Sequence, residues 1–320
     1  MTEVERGVQA LRAGGLVVLP TETVYGLAAD AASPQAVARV YAVKGRPADH
    51  PLILHLAATA RLETWAATIP DYVRNLAAEL WPGPLTMVLP RTEQVAEYVT
   101  GGQDTVAIRV PDHPLAQAVL TEFGGGVVAP SANRFGHVSP TTAEHARQDL
   151  GDRLVAGLDV VIDGGPCQVG VESTILDCTG DHPVVLRPGT LNLARIEEVA
   201  GAPISKEPAR PIRVPGSLAS HYAPRAQVQI VSNAADLELG ASVAPEVGLL
   251  ALAEVTTPSG VVRLAAPSDA AEYARVLYAA LREADSLQLQ RVVALVPAGD
   301  DGAAVAVRDR LQRAAADRPA

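Results

Sequence analysis

The chain has 320 residues, of which 48% are hydrophobic and 19% are charged, and its formal net charge is −10. This composition is that of a globular protein with room for two cores, and it excludes wholesale disorder. The negative net charge disfavours tight, sequence-independent binding to nucleic acid, because such binding depends on neutralising phosphates.

Short runs of Val, Leu and Ile alternate with helical patterns between residues 8 and 200. The clearest helix is predicted over 34–44, with Ser33 as its N-cap, a proline in its first turn and Gly45 as its left-handed stop. A second helix is predicted after Thr141, which has capping-box spacing with Glu144. The predicted strands are 15–19, 51–56, 85–89, 105–110, 126–129, 160–162, 173–177 and 184–187.

The remaining third of the chain has a different pattern. Residues 201–226 contain five prolines and little periodicity, which predicts an extended linker. Beyond it, strands are predicted at 228–231, 248–252, 261–264 and 291–296, and helices at 268–284 and 302–315. The chain is therefore predicted to be α/β (α+β), with a first domain at 1–204, a Pro-rich linker at 205–226 and a small α/β C-terminal domain at 227–320.

Cysteine usage and hydropathy indicate a cytoplasmic protein. Cys167 and Cys178 form no CxxC pair, which argues against a disulfide scaffold and against a zinc site. The N-terminus has no signal-peptide pattern, and no apolar run reaches membrane-spanning length. We expect two structural thiols in a reducing compartment and no membrane association.

Lys44 is unusual because only two of the 26 basic residues are lysines. An ammonium group and a guanidinium fork are not interchangeable at a phosphate site. Together with Arg46, Lys44 therefore indicates a clamp for a polyphosphate or a carboxylate. The alternative is that Lys44 has been retained by chance in a chain whose other basic residues are almost all arginine. We interpret Lys206, in the linker, in this second way.

Two polar segments and one strand arginine add to this picture. The loop over 129–142 runs from a strand into a helix, so its hydroxyls and amides can converge on an anion, although a cap-rich turn is the alternative. Residues 20–27 form a strand-end turn that either binds a small polar ligand or only caps the chain. Arg109 lies in an apolar strand and needs an internal acid or a bound anion as its partner.

Several catalytic motifs are missing from the sequence. It contains no P-loop, no GxGxxG between strand and helix, no GxSxG and no HExxH. The cations, hydroxyls and amides that it does offer suit catalysis by positioning and charge stabilisation.

Ten ordered motifs resemble those of the threonylcarbamoyl-AMP synthases in their long, two-domain form. They are PTETVYGL (20–27), KGRP (44–47), PL (51–52) with His55, WPGPLT (81–86), RVP (109–111), APSAN (129–133), SPT (139–141), ESTI (172–175), RPG (187–189), and PG (215–216) with HYAP (221–224). The resemblance covers nearly the whole chain. It implies a YrdC-like twisted mixed sheet with helices, followed by a linker and a smaller Rossmann-like α/β domain.

The resemblance also implies an activity. The enzyme would be a nucleotidyltransferase that converts L-threonine, bicarbonate or CO2, and ATP into L-threonylcarbamoyladenylate and pyrophosphate. This is the first step of the tRNA N6-threonylcarbamoyladenosine modification, and a separate threonylcarbamoyl transferase complex would use the product. Mg²⁺ would be bound through the ATP phosphates, with no metal ligands from protein side chains.

Site residues follow from the same resemblance. The implied ATP ligands are Lys44, Arg46, His50, Thr105, Ser131, Asn133, Ser139, Arg187 and Tyr222, of which Lys44, Arg46, Ser131 and Asn133 are the implied catalytic residues. The implied L-threonine ligands are Thr23, His55, Arg109, Ala129 and Ser173, with Arg109 on the carboxylate. Tyr222 would close over the nucleotide as part of a lid.

Two other interpretations remain. A carbamoyltransferase of hydrogenase maturation shares the first domain, but such enzymes carry zinc-finger cysteine pairs. A non-catalytic RNA-binding module with the same fold is the second, and the net charge of −10 and the 3% of aromatic residues weigh against it. Tight tRNA binding is not expected. The sequence leaves open the role of the C-terminal domain, the oligomeric state, the order of substrate binding and the choice between CO2 and bicarbonate.

Overall fold

A computed structural model describes residues 1–205, 211–216, 221–233 and 246–316 of the chain. The helices are α1 (Glu3–Arg12), α2 (Pro34–Lys44), α3 (Asp71–Leu80), α4 (Glu97–Thr100), α5 (Pro114–Phe123), α6 (Ala143–Leu150), α7 (Leu193–Ala200), α8 (Ala270–Ser286) and α9 (Gly302–Ala315). The strands are β1 (Val17–Leu19), β2 (Gly26–Asp30), β3 (Ile53–His55), β4 (Leu85–Pro90), β5 (Thr105–Arg109), β6 (Val127–Val128), β7 (Val160–Val161), β8 (Thr174–Asp177), β9 (Val184–Arg187), β10 (Gln227–Val231), β11 (Val247–Leu250), β12 (Val262–Ala265) and β13 (Arg291–Leu295).

The first nine strands form one mixed sheet in the order β7-β1-β2-β6-β3-β5-β4-β8-β9. Alternate residues of a strand point to opposite faces of a sheet, and here each face contacts its own hydrophobic cluster. In and beside β1, Leu16 and Val18 join the larger hydrophobic cluster, whereas Val17 and Leu19 join the cluster under α1 and α5. The predicted mixed sheet with helices is confirmed.

Helix α2 has the predicted bounds and caps. The Ser33 side chain accepts a hydrogen bond from the Ala36 amide at 3.2 Å, and Gly45 ends the helix with φ of +64°. Because α2 stops here, Lys44 lies in its last turn and points into the protein, where only 2% of its surface is exposed.

One predicted helix start was wrong, and one strand of the first sheet was not predicted. The N-cap of α6 is Thr142, whose side chain accepts from the His145 amide at 3.2 Å, while Thr141 Oγ1 lies 3.3 Å from His145 Nδ1. Helix α6 therefore begins one residue later than the capping box required. Strand β2 was not predicted, since its residues follow a Thr-rich turn and are mostly small.

The second sheet has four parallel strands in the order β10-β13-β11-β12, packed with α8 and α9. It confirms the predicted small α/β layer. Of the predicted linker, residues 206–210 and 217–220 lie outside the described residues, and Lys206 is among them. No helix within the described ranges combines the length and apolarity that crossing a membrane requires.

One hydrophobic cluster joins the two parts of the chain. Val24, Val138 and Val171 from the first part of the chain pack with Tyr222 and with residues of α8 and α9. The backbones also approach closely at two glycines. A Cβ atom at Gly170 would lie 2.4 Å from Arg275 Cα, and one at Gly302 would lie 2.4 Å from the Thr190 carbonyl. Neither position can accept a larger residue without moving a helix.

Candidate active site

A cavity of about 50 Å³ lies where the ends of β3 and β5 and the loop after β6 face the linker. Eight of the fourteen predicted site residues line it, namely Arg46, His55, Arg109, Ala129, Ser131, Ser173, Arg187 and Tyr222. The rest of its wall consists of Val24, Ile53, Pro130, Glu172, Pro215, Gly216 and His221. Most of the predicted site therefore converges on one place, although its residues are spread over some two hundred positions of sequence.

A larger cleft of about 360 Å³ lies between α6 and α8. It contains none of the predicted site residues, and its arginines already have acidic partners. Arg282 lies 3.1 Å from Asp149, and Arg134 lies 2.9 Å from Asp152. We therefore place the candidate active site in the smaller cavity.

Lys44 lies behind the wall of this cavity and holds the polar loop. Its Nζ donates to the backbone carbonyls of Ser131 at 2.5 Å and of Asn133 at 2.6 Å. Burial, and then the nearby Arg46, hold the pKa of the Lys44 ammonium well below its usual value. Two carbonyls are weak compensation for a buried cation, so a bound anion would stabilise its charged form.

Arg46 reaches the cavity from the turn after α2. Its Nη2 donates to the Pro51 carbonyl at 2.9 Å, and its guanidinium carbon lies 5.7 Å from the centre of the Phe135 ring. Its buried Nε has no hydrogen-bond partner among the described residues, so this group can still donate to a ligand. His50 packs edge-on against the same ring at 5.4 Å and does not line the cavity.

The loop after β6 is held by its own side chains. Asn133 Nδ2 donates to the carbonyls of Arg134 at 2.8 Å and His137 at 2.9 Å. Its Oδ1 is buried and has no partner within the described part of the chain. Ser139 donates to Glu172 Oε1 at 2.6 Å, so it lies one hydrogen bond behind the cavity wall.

Arg187, at the end of β9, connects the strand to the linker. Its Nη1 donates to the Pro215 carbonyl at 2.9 Å, and its Nη2 donates to the Ser173 carbonyl at 2.9 Å. Burial lowers the pKa of this guanidinium. Ser173 Oγ lies 2.8 Å from Thr86 Oγ1, so the hydroxyl is fixed by a neighbouring strand.

Arg109 and His55 are paired neighbours on β5 and β3. Arg109 Nη2 lies 2.7 Å from Glu22 Oε1, which supplies the internal acid that was one of its two predicted partners. The contact is an ion pair without hydrogen-bond alignment, and Arg109 Nε has no hydrogen-bond partner among the described residues. Burial, and then the Arg109 charge, lower the pKa of His55 to about 3, so its imidazole is neutral.

Thr23 and Thr105 are two of the six predicted residues that do not line the cavity. Thr23 is fully buried, with its hydroxyl 3.0 Å from that of Thr21. Thr105 begins β5, whereas Arg109 ends it, so the rise along a strand separates them by about 13 Å. Both side chains belong to the same face of β5, which the linker residue Val214 covers near Ala107.

Sequence reasoning missed three residues that complete the site. Glu172 lines the cavity, and its Oε2 accepts hydrogen bonds from Tyr278 at 2.7 Å and from Arg310 Nε at 2.8 Å. Tyr278 and Arg310 come from α8 and α9, more than a hundred residues away. Glu172 lies within the ESTI motif, which was the available signal, but its partners could not be read from the sequence.

Comparison with known proteins identifies the family. A family model described as telomere recombination matches residues 9–189, and one described as threonylcarbamoyl-AMP synthase, C-terminal domain, matches residues 191–316. Over 330 aligned positions the chain is 38% identical to the threonylcarbamoyl-AMP synthase of Bacillus subtilis, covering 99% of this chain and 94% of that one. The chain belongs to the threonylcarbamoyl-AMP synthase family.

Other members of this family are also similar. The threonylcarbamoyl-AMP synthase of Pyrococcus abyssi is 45% identical over 71% of this chain and 67% of its own. The crystal structure of P. abyssi Sua5 complexed with L-threonine superposes with a TM-score of 0.85 at 37% identity, covering 98% of this chain and 95% of that chain. A nucleotide-bound structure of full-length HypF, at 18% identity and a TM-score of 0.51, shares the fold alone.

Proposed function

We infer that this protein is a threonylcarbamoyl-AMP synthase, an ATP-dependent nucleotidyltransferase that provides the activated intermediate for tRNA threonylcarbamoyladenosine modification. The observation that carries this conclusion is the convergence of family-motif residues on one cavity. Arg46 and Arg187 lie on its wall together with His55, Arg109 and Ser173. Cations suited to a triphosphate thus stand beside groups suited to an amino acid.

For ATP, we propose that the cations bind the triphosphate. Lys44 and Arg46 would hold it from the end of α2, and Arg187 from β9, while Ser131, Asn133 and Ser139 would hold phosphate and ribose from the polar loop. The unpartnered donor Arg46 Nε suits a phosphate oxygen, and the unpartnered acceptor Asn133 Oδ1 suits a ribose hydroxyl, because buried polar groups without partners are costly. His50, Thr105 and Tyr222 would complete the ATP site.

For L-threonine, we propose that Arg109 binds the carboxylate through Nε, which its ion pair with Glu22 leaves available. The neutral His55, the Ser173 hydroxyl, Thr23 and the backbone at Ala129 would surround the rest of the amino acid. The solved complex of P. abyssi Sua5 with L-threonine supports this choice of substrate.

The chemistry then requires alignment more than an activated side chain. We propose that the amine of threonine attacks CO2 with release of a proton to solvent, or bicarbonate with loss of water, to form a carbamate. A carbamate oxygen then attacks the α-phosphorus, the bond from this phosphorus to the bridging oxygen breaks, and pyrophosphate leaves. Lys44, Arg46 and Arg187 would stabilise the charge that develops on the phosphates.

We propose that Mg²⁺ arrives with ATP and is bound through its phosphates. The carboxylates nearest the cavity support this arrangement, because Glu22 is paired with Arg109 and Glu172 with Arg310. The described residues also include no group of three or more His, Cys, Asp or Glu side chains arranged to hold a metal ion.

The linker is proposed to act as a lid between a catalytic domain at 1–204 and a C-terminal domain at 227–320. Val214 packs on the sheet face beside Ile53 and Ala107, and the Pro215 carbonyl accepts a hydrogen bond from Arg187. A cavity of about 50 Å³ is far smaller than the pockets of about 300–1,000 Å³ that hold ligands of this size. Residues 211–216 and 221–223 would therefore move aside for ATP and threonine to enter.

The remaining parts of the proposal concern cellular context. The product is a reactive mixed anhydride, so a separate threonylcarbamoyl transferase complex would consume it. Tight tRNA binding by this chain is not part of the proposal. Both cysteines are buried and unpaired, which supports a reducing, cytoplasmic compartment.

The test is pyrophosphate release from ATP by the purified protein with bicarbonate and magnesium, comparing L-threonine, L-serine and no amino acid. Release that depends on threonine and bicarbonate is expected. If ATP binds without any threonine-dependent release, the protein is a binding module, and the catalytic roles above are wrong.

A further inference from the structure

Glu172 places a negative charge in the wall of a cavity proposed to bind a triphosphate. The residue is 7% exposed and lines the cavity with the cations Arg46 and Arg187. A carboxylate at such a position repels phosphate, and the repulsion is strong where water is largely excluded. Its presence in an ATP site therefore requires an explanation.

The carboxylate has a local use, which is to fix the polar loop. Its Oε1 accepts from Ser139 Oγ at 2.6 Å, and Ser139 is one of the proposed ATP ligands. Because its one hydroxyl proton goes to Glu172, the Ser139 oxygen can act toward the nucleotide only as an acceptor, which suits a ribose hydroxyl. Burial opposes ionisation of Glu172, but the charges of Arg310 and Arg187 outweigh it and lower the pKa to about 2. The group is thus an ionised acceptor that holds a serine hydroxyl in one orientation.

The compensating charge comes from the C-terminal domain. Arg310 of α9 is fully buried, and its Nε donates to Glu172 Oε2 at 2.8 Å. Its Nη2 also reaches the Glu172 carbonyl at 3.3 Å, and its guanidinium carbon lies 5.4 Å from the Tyr222 ring centre. One side chain of α9 thus contacts both the Glu172 carboxylate and the proposed lid residue Tyr222.

We propose that Arg310 is a positioning residue of the ATP site, which neutralises Glu172 so that this carboxylate holds Ser139 without repelling the triphosphate. The inference rests on the ATP site proposed above. It gives the C-terminal domain a defined electrostatic role in nucleotide binding, in addition to packing on Val24, Val138 and Val171.

The test compares ATP affinity across a set of full-length variants in which the charges of Arg310 and Glu172 are removed singly and together. Arg310→Met leaves Glu172 unpaired and is expected to weaken ATP binding by at least about tenfold, with the KM for threonine changed less than about twofold. Adding Glu172→Gln to Arg310→Met removes the uncompensated charge and is expected to restore ATP binding to within about threefold of Glu172→Gln alone. ATP affinity is measured by calorimetry, and both KM values by pyrophosphate release.

Three further variants separate charge from structure. Arg310→Lys keeps the positive charge and is expected to retain most of the ATP affinity. Tyr278→Phe removes one hydrogen bond to Glu172 but no charge, and is expected to change the affinity less than about threefold. Asp301→Ala removes the N-cap of α9, so it should lower the melting temperature without changing ATP affinity. If Arg310→Met alone does not fold, the neutral double variant still has to bind ATP as Glu172→Gln does.

Two results would overturn the proposal. One is a double variant that binds ATP no better than Arg310→Met, and the other is an equal loss for ATP and threonine in Arg310→Met. Failure of the proposed function is a separate outcome, since a wild-type protein that binds ATP without releasing pyrophosphate still allows the affinities to be compared. A wild-type protein that does not bind ATP contradicts both.

Discussion

Arg109 Nη2 lies 2.7 Å from Glu22 Oε1, so the arginine proposed to bind the threonine carboxylate already has a carboxylate beside it. Glu22 is fixed in turn, because its Oε2 accepts from the Asp112 amide at 3.0 Å. The pair holds the Arg109 guanidinium in place in a buried position, which suits recognition of a second carboxylate.

Arg109→Ala is expected to raise the KM for threonine by at least about tenfold while the KM for ATP changes little. The reason is that the guanidinium is proposed to bind the amino acid and not the phosphates. Arg39→Ala provides the control, because it breaks another arginine ion pair, with Asp159 at 2.7 Å, away from the cavity. Equal losses for the two substrates would contradict the carboxylate assignment.

Lys44→Arg is expected to lower kcat/KM for ATP by at least about tenfold, although it preserves the charge. A compact ammonium fits between the carbonyls of Ser131 and Asn133, at 2.5 and 2.6 Å, whereas a planar fork does not. Lys206→Arg changes the other lysine, which belongs to no proposed ligand set, and should leave the rate unchanged. A fully active Lys44→Arg enzyme would favour chance survival of this lysine.

The predictions from sequence were most accurate for features that neighbouring residues determine. Helix α2 and its two caps follow from neighbouring residues, and motif residues led to most of the cavity wall. Strand β2 was missed because its small residues form a strand only through pairing with β1 and β6. The bonds from Arg310 to Glu172 join residues 138 positions apart, and no local pattern encodes such a contact.

Acid is expected to destabilise the fold through its buried histidines. Burial lowers the pKa of His55 and of His221 to about 3, against an ordinary 6.5. Between pH 6.5 and 3 the unfolded state therefore binds more protons, so this stability is fully present above pH 6.5 and is lost as the pH falls. Each fully shifted histidine contributes a slope of about 1.4 kcal/mol per pH unit.

Urea unfolding at several pH values between 7 and 5 measures this slope. His55→Asn should make it shallower, while a substitution of the exposed His182 serves as the control. A free energy of unfolding that does not change over this range would show that neither buried histidine is held neutral.

Gly216→Ala is expected to impair turnover by disturbing the lid. Gly216 has φ of +77°, and a Cβ atom there would lie 2.2 Å from the Tyr222 hydroxyl. Gly157→Ala is the matched control, since Gly157 has φ of +81° but nothing within 4 Å of its Cβ position. Both variants should lose about 1 kcal/mol of stability through the positive φ, and Gly216→Ala should lose more through its contact with Tyr222. Only Gly216→Ala should lose activity. Equal activity in the two variants would count against the lid.

A chain truncated after residue 205 is expected to remain folded, as judged by circular dichroism, but to turn over at least about tenfold more slowly. Truncation removes the proposed lid and exposes Val24, Val138 and Val171, which the second sheet covers. Full activity of the truncated chain would rule out the lid.

The close backbone contacts at Gly170 and Gly302 fix the C-terminal helices against the first part of the chain. Helix α8 approaches Gly170, and the start of α9 at Gly302 approaches Thr190, with no space for a methyl group at either glycine. Sliding one sheet over the other would break both contacts together with the apolar cluster between them. Opening of the cavity would therefore fall to residues 211–216 and 221–223, the proposed lid between these two fixed surfaces.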